Sequence, residues 1–349
     1  SADNHVTDSP AGGTALATGT RTKNGYLGVD PDGQQLTSIL RKAQEMGKST
    51  GIVVNTTLTE ATPAAFYAGV TSRSMTYDIA KQFTESQVDI AIGTGLDHFI
   101  NRPDSLDLTA TLIDKGYDVY LDWRSVLATE SEKFVGILDM GDVHRRNKQR
   151  STTASAAEGQ EVCLAARLAA TEGNTDTTRF SEPTEYLQKA CSKALSVLEK
   201  NAPEGFFLMI ESAIIDGFGH NNDAEGLITE MKEFNNTLNY LAAYVNEHPE
   251  TLLVVTADHE TGGISLGEGD EWTNTFIDWA EIEQEWEKNK ETYLHDRSAN
   301  HEFNKASHIG WTTLYHTGGA VPVYSIGKGA EKFMGRMDNT DIKGKILGE

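Results

Sequence analysis

The sequence predicts an α/β domain: a central, mainly parallel sheet with helices on both faces. Three observations predict it. Short apolar runs rich in Val, Ile, Leu and Phe recur between Gly51 and Ile326. Segments with helical periodicity, about a dozen residues or longer, separate them. Two of the runs close on Asp and His side chains, and ligands in such sheets sit beyond the carboxyl ends of the strands.

The elements follow in order. A helix over Leu36–Met46 ends at Gly47 and leads into the strand Gly51-Ile-Val-Val54. Val88-Asp-Ile-Ala-Ile92 precedes a Gly-rich turn, and Phe134–Leu138 reads as another short strand. The helix Thr184–Lys200 precedes the strand Phe206–Ile210. A long helix, about Asp223–Asn246, precedes Leu252–Thr256, and Val321–Ile326 is the last strand. Two stretches break this rhythm, Asp142–Asn174 and Gly267–Ser307, the second with a surface helix near Trp279–Lys290. Both are expected as insertions in one domain spanning 1–349 rather than domains of their own. The basic patch Arg145–Arg150 inside the first is expected to be a solvated loop.

Bulk properties set limits on function. With 349 residues, 38% hydrophobic and 23% charged, the chain can bury a sizeable core. No run approaches the ~18 apolar residues of a membrane helix. A formal charge of −22 argues against a nucleic-acid backbone as the main partner. Small phosphates are not excluded, because metals and Arg can reverse the field in one pocket. Cys163 and Cys191 are either a disulfide or two buried thiols, and the sequence leaves both open. The chain opens at Ser1-Ala-Asp-Asn-His5 without Met, so a processed or truncated start is expected.

Three segments carry chemistry. Val6-Thr-Asp-Ser-Pro-Ala-Gly-Gly-Thr-Ala15 puts Ser9 before a helix with Pro10 in its first turn. That pairing suits an ordinary N-cap serine. It also suits a nucleophile, since free N–H groups and the positive dipole end stabilise an alkoxide or a phosphate ester. Next, Phe206–Ile210 runs into Glu211, Asp216 and His220, and Leu252–Thr256 runs into Asp258 and His259. Carboxylates and imidazoles at the ends of buried strands are costly unless something binds them, and zinc accepts this mixture of oxygen and nitrogen. The third segment, Tyr315-His316-Thr-Gly-Gly, brings one more imidazole before a strand. His5, His98, His144, His248, His295, His301 and His308 are expected to be ordinary surface residues.

Together these motifs resemble the alkaline phosphatase family. Asp8-Ser9, Glu60-Ala-Thr-Pro63, Val70-Thr-Ser-Arg73, Glu211…Asp216…His220, Thr256-Ala-Asp-His259 and His316-Thr-Gly stand in the family's order at similar spacing, out to about Ile342. The resemblance implies that Ser9 is a nucleophile that becomes phosphoserine and that Arg73 grips two non-bridging phosphate oxygens, with Asp8 holding Arg73. It implies two Zn2+ ions, one on Asp216, His220 and His316, the other on Asp258 and His259. It implies a third site, usually Mg2+, on Thr62 and Glu211, with Glu60 reaching it too. The implied partners are small phosphate monoesters and inorganic phosphate, over a broad range. Dimers are common among relatives, and a periplasmic or secreted location is the family habit.

Three departures qualify the resemblance. The family brings a metal-bridging aspartate from a Gly-Asp-Gly-Met-type turn before its nucleophile, and no segment here matches it. Either the chain is a fragment, the favoured reading, or the family site is incomplete; without the missing piece the second and third metal sites are expected to be weakened. Glu60 stands where relatives commonly carry Asp or His, and Gly217 where some carry a polar or basic residue. The rival readings are a phosphodiesterase or phosphonate-cleaving relative, and a catalytically impaired fragment that binds metal or phosphate.

Overall fold

The computed structural model describes residues 1–139, 185–267 and 309–348, with the isolated positions Gln284, Lys288, Asn289 and Asn304. Apart from Gly267 and those positions, both expected insertions lie outside the described residues. So do Cys163, the basic patch, and most of the helix near Trp279–Lys290.

The described elements begin with α1 (Ser9–Thr18), α2 (Ile39–Glu45), β1 (Ser49–Thr57), α3 (Ala61–Ala64), α4 (Thr76–Thr84) and β2 (Ile90–Thr94). Then come α5 (Asp97–Ile100), α6 (Leu108–Asp114), β3 (Asp118–Tyr120), α7 (Trp123–Ala128) and β4 (Phe134–Leu138). The chain continues with α8 (Tyr186–Asn201), β5 (Phe206–Glu211), α9 (Ile214–His220), α10 (Ala224–Glu247) and β6 (Leu252–Thr256). Four two-residue strands follow: β7 (Glu260–Thr261), β8 (Ser265–Leu266), β9 (Ile309–Gly310) and β10 (His316–Thr317). After these come β11 (Val323–Gly327), a 3-10 turn and α11 (Asp341–Leu347).

The predicted sheet is present. Five strands, ordered β3-β4-β2-β1-β5, pair in parallel throughout. Strand periodicity divides their side chains between two cores. Ile52, Val54, Ala91, Val135 and Ile137 face a layer made by α2, α4, α5 and α6. Val53, Ile90, Ile92, Phe134 and Leu138 face α7, α8 and α10. Both sides are dry at the centre, where Ile52, Ile90 and Ile92 are fully buried. Burying each such side chain stabilises the fold by about 1.5–3 kcal/mol.

Two details differ from the sequence reading. The α2 helix starts at Ile39, not Leu36, because the Ser38 hydroxyl caps it by accepting the Arg41 N–H at 3.2 Å. It stops before Gly47, whose φ of 73° few other residues adopt cheaply. The run Leu252–Thr256, expected as a buried strand, is half-buried and pairs antiparallel with β11, with Thr256 opposite Val323. The chain returns through β7 to β10 and presents β11 in the reverse direction to that ladder.

This architecture gathers the C-terminal ends of β1, β5 and β6 at one edge. Helix α1 lies close against them because Gly12 and Gly13 lack side chains. A Cβ on Gly12 would stand 2.9 Å from the Asp258 carbonyl oxygen, and one on Gly13 3.2 Å from the Thr62 Cα. No described helix is long and apolar enough to cross a membrane.

Candidate active site

Asp8, not Ser9, is the N-cap of α1. Its Oδ1 accepts the Ala11 N–H at 3.0 Å and its Oδ2 the Gly25 N–H at 2.6 Å. Because the carboxylate does the capping, the Ser9 hydroxyl is released to face inward. Ser9 Oγ lies 3.0 Å from Nε2 of His259.

The protonation of three imidazoles follows from their outer partners. His220 Nδ1 faces the Leu314 carbonyl at 2.7 Å, and His316 Nδ1 faces the Thr7 carbonyl at 2.9 Å. A carbonyl only accepts, so both Nδ1 atoms donate. Thr261 Oγ1 donates its one proton to Asp216 Oδ1 at 2.5 Å and so accepts from His259 Nδ1 at 3.1 Å. In the neutral tautomers that these partners select, the Nε2 atoms offer lone pairs that point into the site. Burial first, and the neighbouring imidazoles next, lower the pKa of His316, and burial lowers that of His259, which keeps both neutral.

Neutral lone pairs facing one another repel unless a cation lies between them. His220 and His316 bring their Nε2 atoms to 3.2 Å. Asp216 Oδ2 is 3.4 Å from His220 Nε2, and Asp216 Oδ1 is 3.7 Å from His316 Nε2. Ligands about 2.0–2.2 Å from a tetrahedral zinc stand about 3.3 Å apart, so this set fits one ion. These three are a group able to hold a metal among the described residues. His259 Nε2 is 3.3 Å from Asp258 Oδ2 and 3.0 Å from Ser9 Oγ, a second set with the same spacing. The His259 and His316 rings stack at 3.5 Å between centroids, which joins the two sets.

The carboxylates behind them point the same way. Glu211 Oε2 and Asp258 Oδ2 are buried, and among the described residues neither finds a hydrogen-bond partner. Burial, reinforced by the charge of Asp258, pushes Glu211 up to about 8; burial, with the charge of Asp216 adding, pushes Asp258 up to about 7. The neighbouring Thr62 hydroxyl opposes part of that rise at Glu211. Orphaned oxygens in this setting suit divalent cations, and the Thr62 and Glu211 oxygens suit a hard ion such as Mg2+. The residues present therefore fit the metals that the motifs imply.

Two expected contacts are arranged differently. The Arg73 guanidinium forms its ion pair with Glu60, expected at the third metal, rather than with Asp8. Both Asp8 oxygens are already held by backbone amides, and Asp8 acts on Arg73 indirectly: it fixes the Gly25 N–H, and the Gly25 carbonyl accepts the Arg73 N–H at 2.9 Å. His98, expected at the surface, is half-buried with its Nδ1 2.6 Å from the Thr59 hydroxyl. Thr261 and the carbonyls of Thr7 and Leu314 were not singled out by their sequence. A threonine two residues after a histidine, or a backbone oxygen, carries no signal until the fold places it.

The sequence profile of the alkaline phosphatase family matches residues 1–347. The chain belongs to that family. It is 30% identical to Alkaline phosphatase 3 of Bacillus subtilis (strain 168), over 99% of this chain and 77% of that protein. Among solved structures, the cold-active alkaline phosphatase of a psychrophilic Shewanella superposes with a TM-score of 0.77 at 29% identity, covering 99% of this chain and 86% of that one. The alkaline phosphatase of the Antarctic bacterium TAB5 gives 0.74 at 28% identity, covering 100% and 85%. The central parallel sheet with helices around it is that of these alkaline phosphatases, and the enzyme is a phosphomonoesterase.

Proposed function

We propose that this alkaline phosphatase hydrolyses phosphate monoesters with zinc, through a phosphoserine on Ser9, and accepts many leaving groups. The observation that carries the reading is the Ser9–His259 contact at 3.0 Å, beside the orphaned oxygen of Asp258. Two Zn2+ ions, on Asp216, His220 and His316 and on Asp258 and His259, with Mg2+ on Thr62 and Glu211, would supply Lewis acidity to the attacking and departing oxygens. A variant of the TAB5 enzyme carries Mg in its M3 site, which supports the third ion.

The chain's own groups do the rest. Asp8 caps α1 and leaves the Ser9 hydroxyl uncommitted at the helix N-terminus. The free N–H groups of the first turn and the dipole favour negative charge on Ser9. Thr261 holds His259 and Asp216 at once, which fixes one ligand of each set. Arg73 offers a planar pair of donors to two non-bridging oxygens of the phosphoryl group. None of these groups reads the organic part of the substrate, and broad specificity follows. Export to the periplasm or the medium belongs to the same reading, and cell fractionation with an activity assay checks it.

The test is a panel of phosphate monoesters with alkyl, sugar and aryl leaving groups, assayed before and after chelation. A shared, breakdown-limited kcat across the panel, lost with chelator and restored by Zn2+, supports the reading. Activity that survives full removal of metal, or that is confined to one leaving group, refutes it.

A further inference from the structure

The side chain of Glu60 has no partner in its own helix. It stands at the N-cap position of α3, with extended backbone (φ −63°, ψ 157°), yet it makes no side-chain cap bond. Its carboxylate reaches instead across 13 residues to the guanidinium of Arg73. The backbone of Arg73 is tied down by the Gly25 carbonyl, so the guanidinium swings on a fixed base. Its charge acts on Glu211, opposing the rise that burial causes there.

We infer that Glu60 is a placeholder for the phosphoryl group: it holds the Arg73 guanidinium when the site is empty and must be displaced when phosphate binds. The inference rests on the proposed reading of Arg73 as the phosphate clamp. Exposure decides that the pair can exchange. The side chains of Arg73 and Glu60 are 43% and 35% exposed. An ion pair this open is worth only about 0.2–1 kcal/mol. A phosphate dianion offers two charge-assisted bonds to the same fork and outcompetes it. The held guanidinium keeps its direction, while the competition weakens phosphate binding. Glu60 is thus a positioning residue that acts through Arg73 and favours release of inorganic phosphate.

The test uses the zinc- and magnesium-loaded enzyme and its Glu60→Gln and Arg73→Ala variants, alone and combined. Inorganic phosphate is titrated by calorimetry and as a competitive inhibitor, and metal content is measured on the same samples. Glu60→Gln is expected to bind phosphate about fivefold tighter, the factor set by the upper end for an exposed pair. KM should fall with Kd, the metal content should be unchanged, and the gain should vanish in the Arg73→Ala background. Unchanged or weaker phosphate binding by Glu60→Gln, or loss of the third ion, overturns the placeholder role. Wild-type enzyme that binds no phosphate at all would instead sink the reading of the site beneath it.

Discussion

Ser9 Oγ and His259 Nε2 stand 3.0 Å apart although 250 residues separate them in the chain. One belongs to the first turn of α1 and the other follows the end of β6. Nothing local joins them; α1 reaches that strand end because Gly12 and Gly13 let its backbone lie against Asp258 and Thr62.

That close approach yields the first prediction. Gly12→Ala gains about 1 kcal/mol in helix propensity. Its Cβ, 2.9 Å from a backbone carbonyl, also forces α1 away from Asp258 at about 1–3 kcal/mol. The second effect wins. Thermal unfolding should show net destabilisation, and elemental analysis a loss from the second zinc site; a variant with raised Tm and full metal content would count against the packing argument.

The orienting role of Thr261 gives the second. Thr261→Val keeps the shape and removes the hydroxyl that donates to Asp216 and accepts from His259. Zinc affinity or kcat should fall about 10–100-fold, the usual effect of losing an outer partner of metal ligands. Competitive chelation measures the affinity, and wild-type values in both would remove Thr261 from the account.

Stability against pH gives the third. Without metal, burial pushes Glu211 from 4.5 up to about 8 and Asp258 from 3.8 up to about 7. The folded protein then holds protons that the unfolded chain has lost, so stability falls as pH rises. The contribution is present below the ordinary carboxylate values and lost as pH climbs through about 7 and then about 8. Thermal scans of chelated enzyme from acid to mildly alkaline pH should show Tm dropping across that interval, with Zn2+ and Mg2+ flattening the drop. A chelated form whose Tm rises over the same interval would contradict it.

Much of this was legible in the chain. The strands β1, β2, β4 and β5 sit within a few residues of the predicted runs, because dense Val and Ile runs between helical segments have few other uses. Asp216, His220, Asp258 and His259 stood out because such side chains are costly at the ends of apolar strands, and His316 only through the resemblance to the family. What did not show depended on distance in space. The pairing of β6 with β11 depends on the direction in which the chain returns. The capping role of Asp8 rather than Ser9 turns on which of two neighbouring oxygens meets the Ala11 N–H. The Glu60–Arg73 pair joins two loops whose separation no spacing encodes.

The central claim, a phosphoryl group carried on Ser9, is tested most directly by trapping it. Metal-loaded enzyme mixed with labelled nitrophenyl phosphate is quenched in acid and digested, and the peptides are mapped by mass spectrometry. The account predicts one phosphorylated peptide bearing the label on Ser9, absent from Ser9→Ala, whose kcat falls by roughly 10³-fold or more as for other removed nucleophiles. Label on another residue, or undiminished turnover by Ser9→Ala, would contradict it.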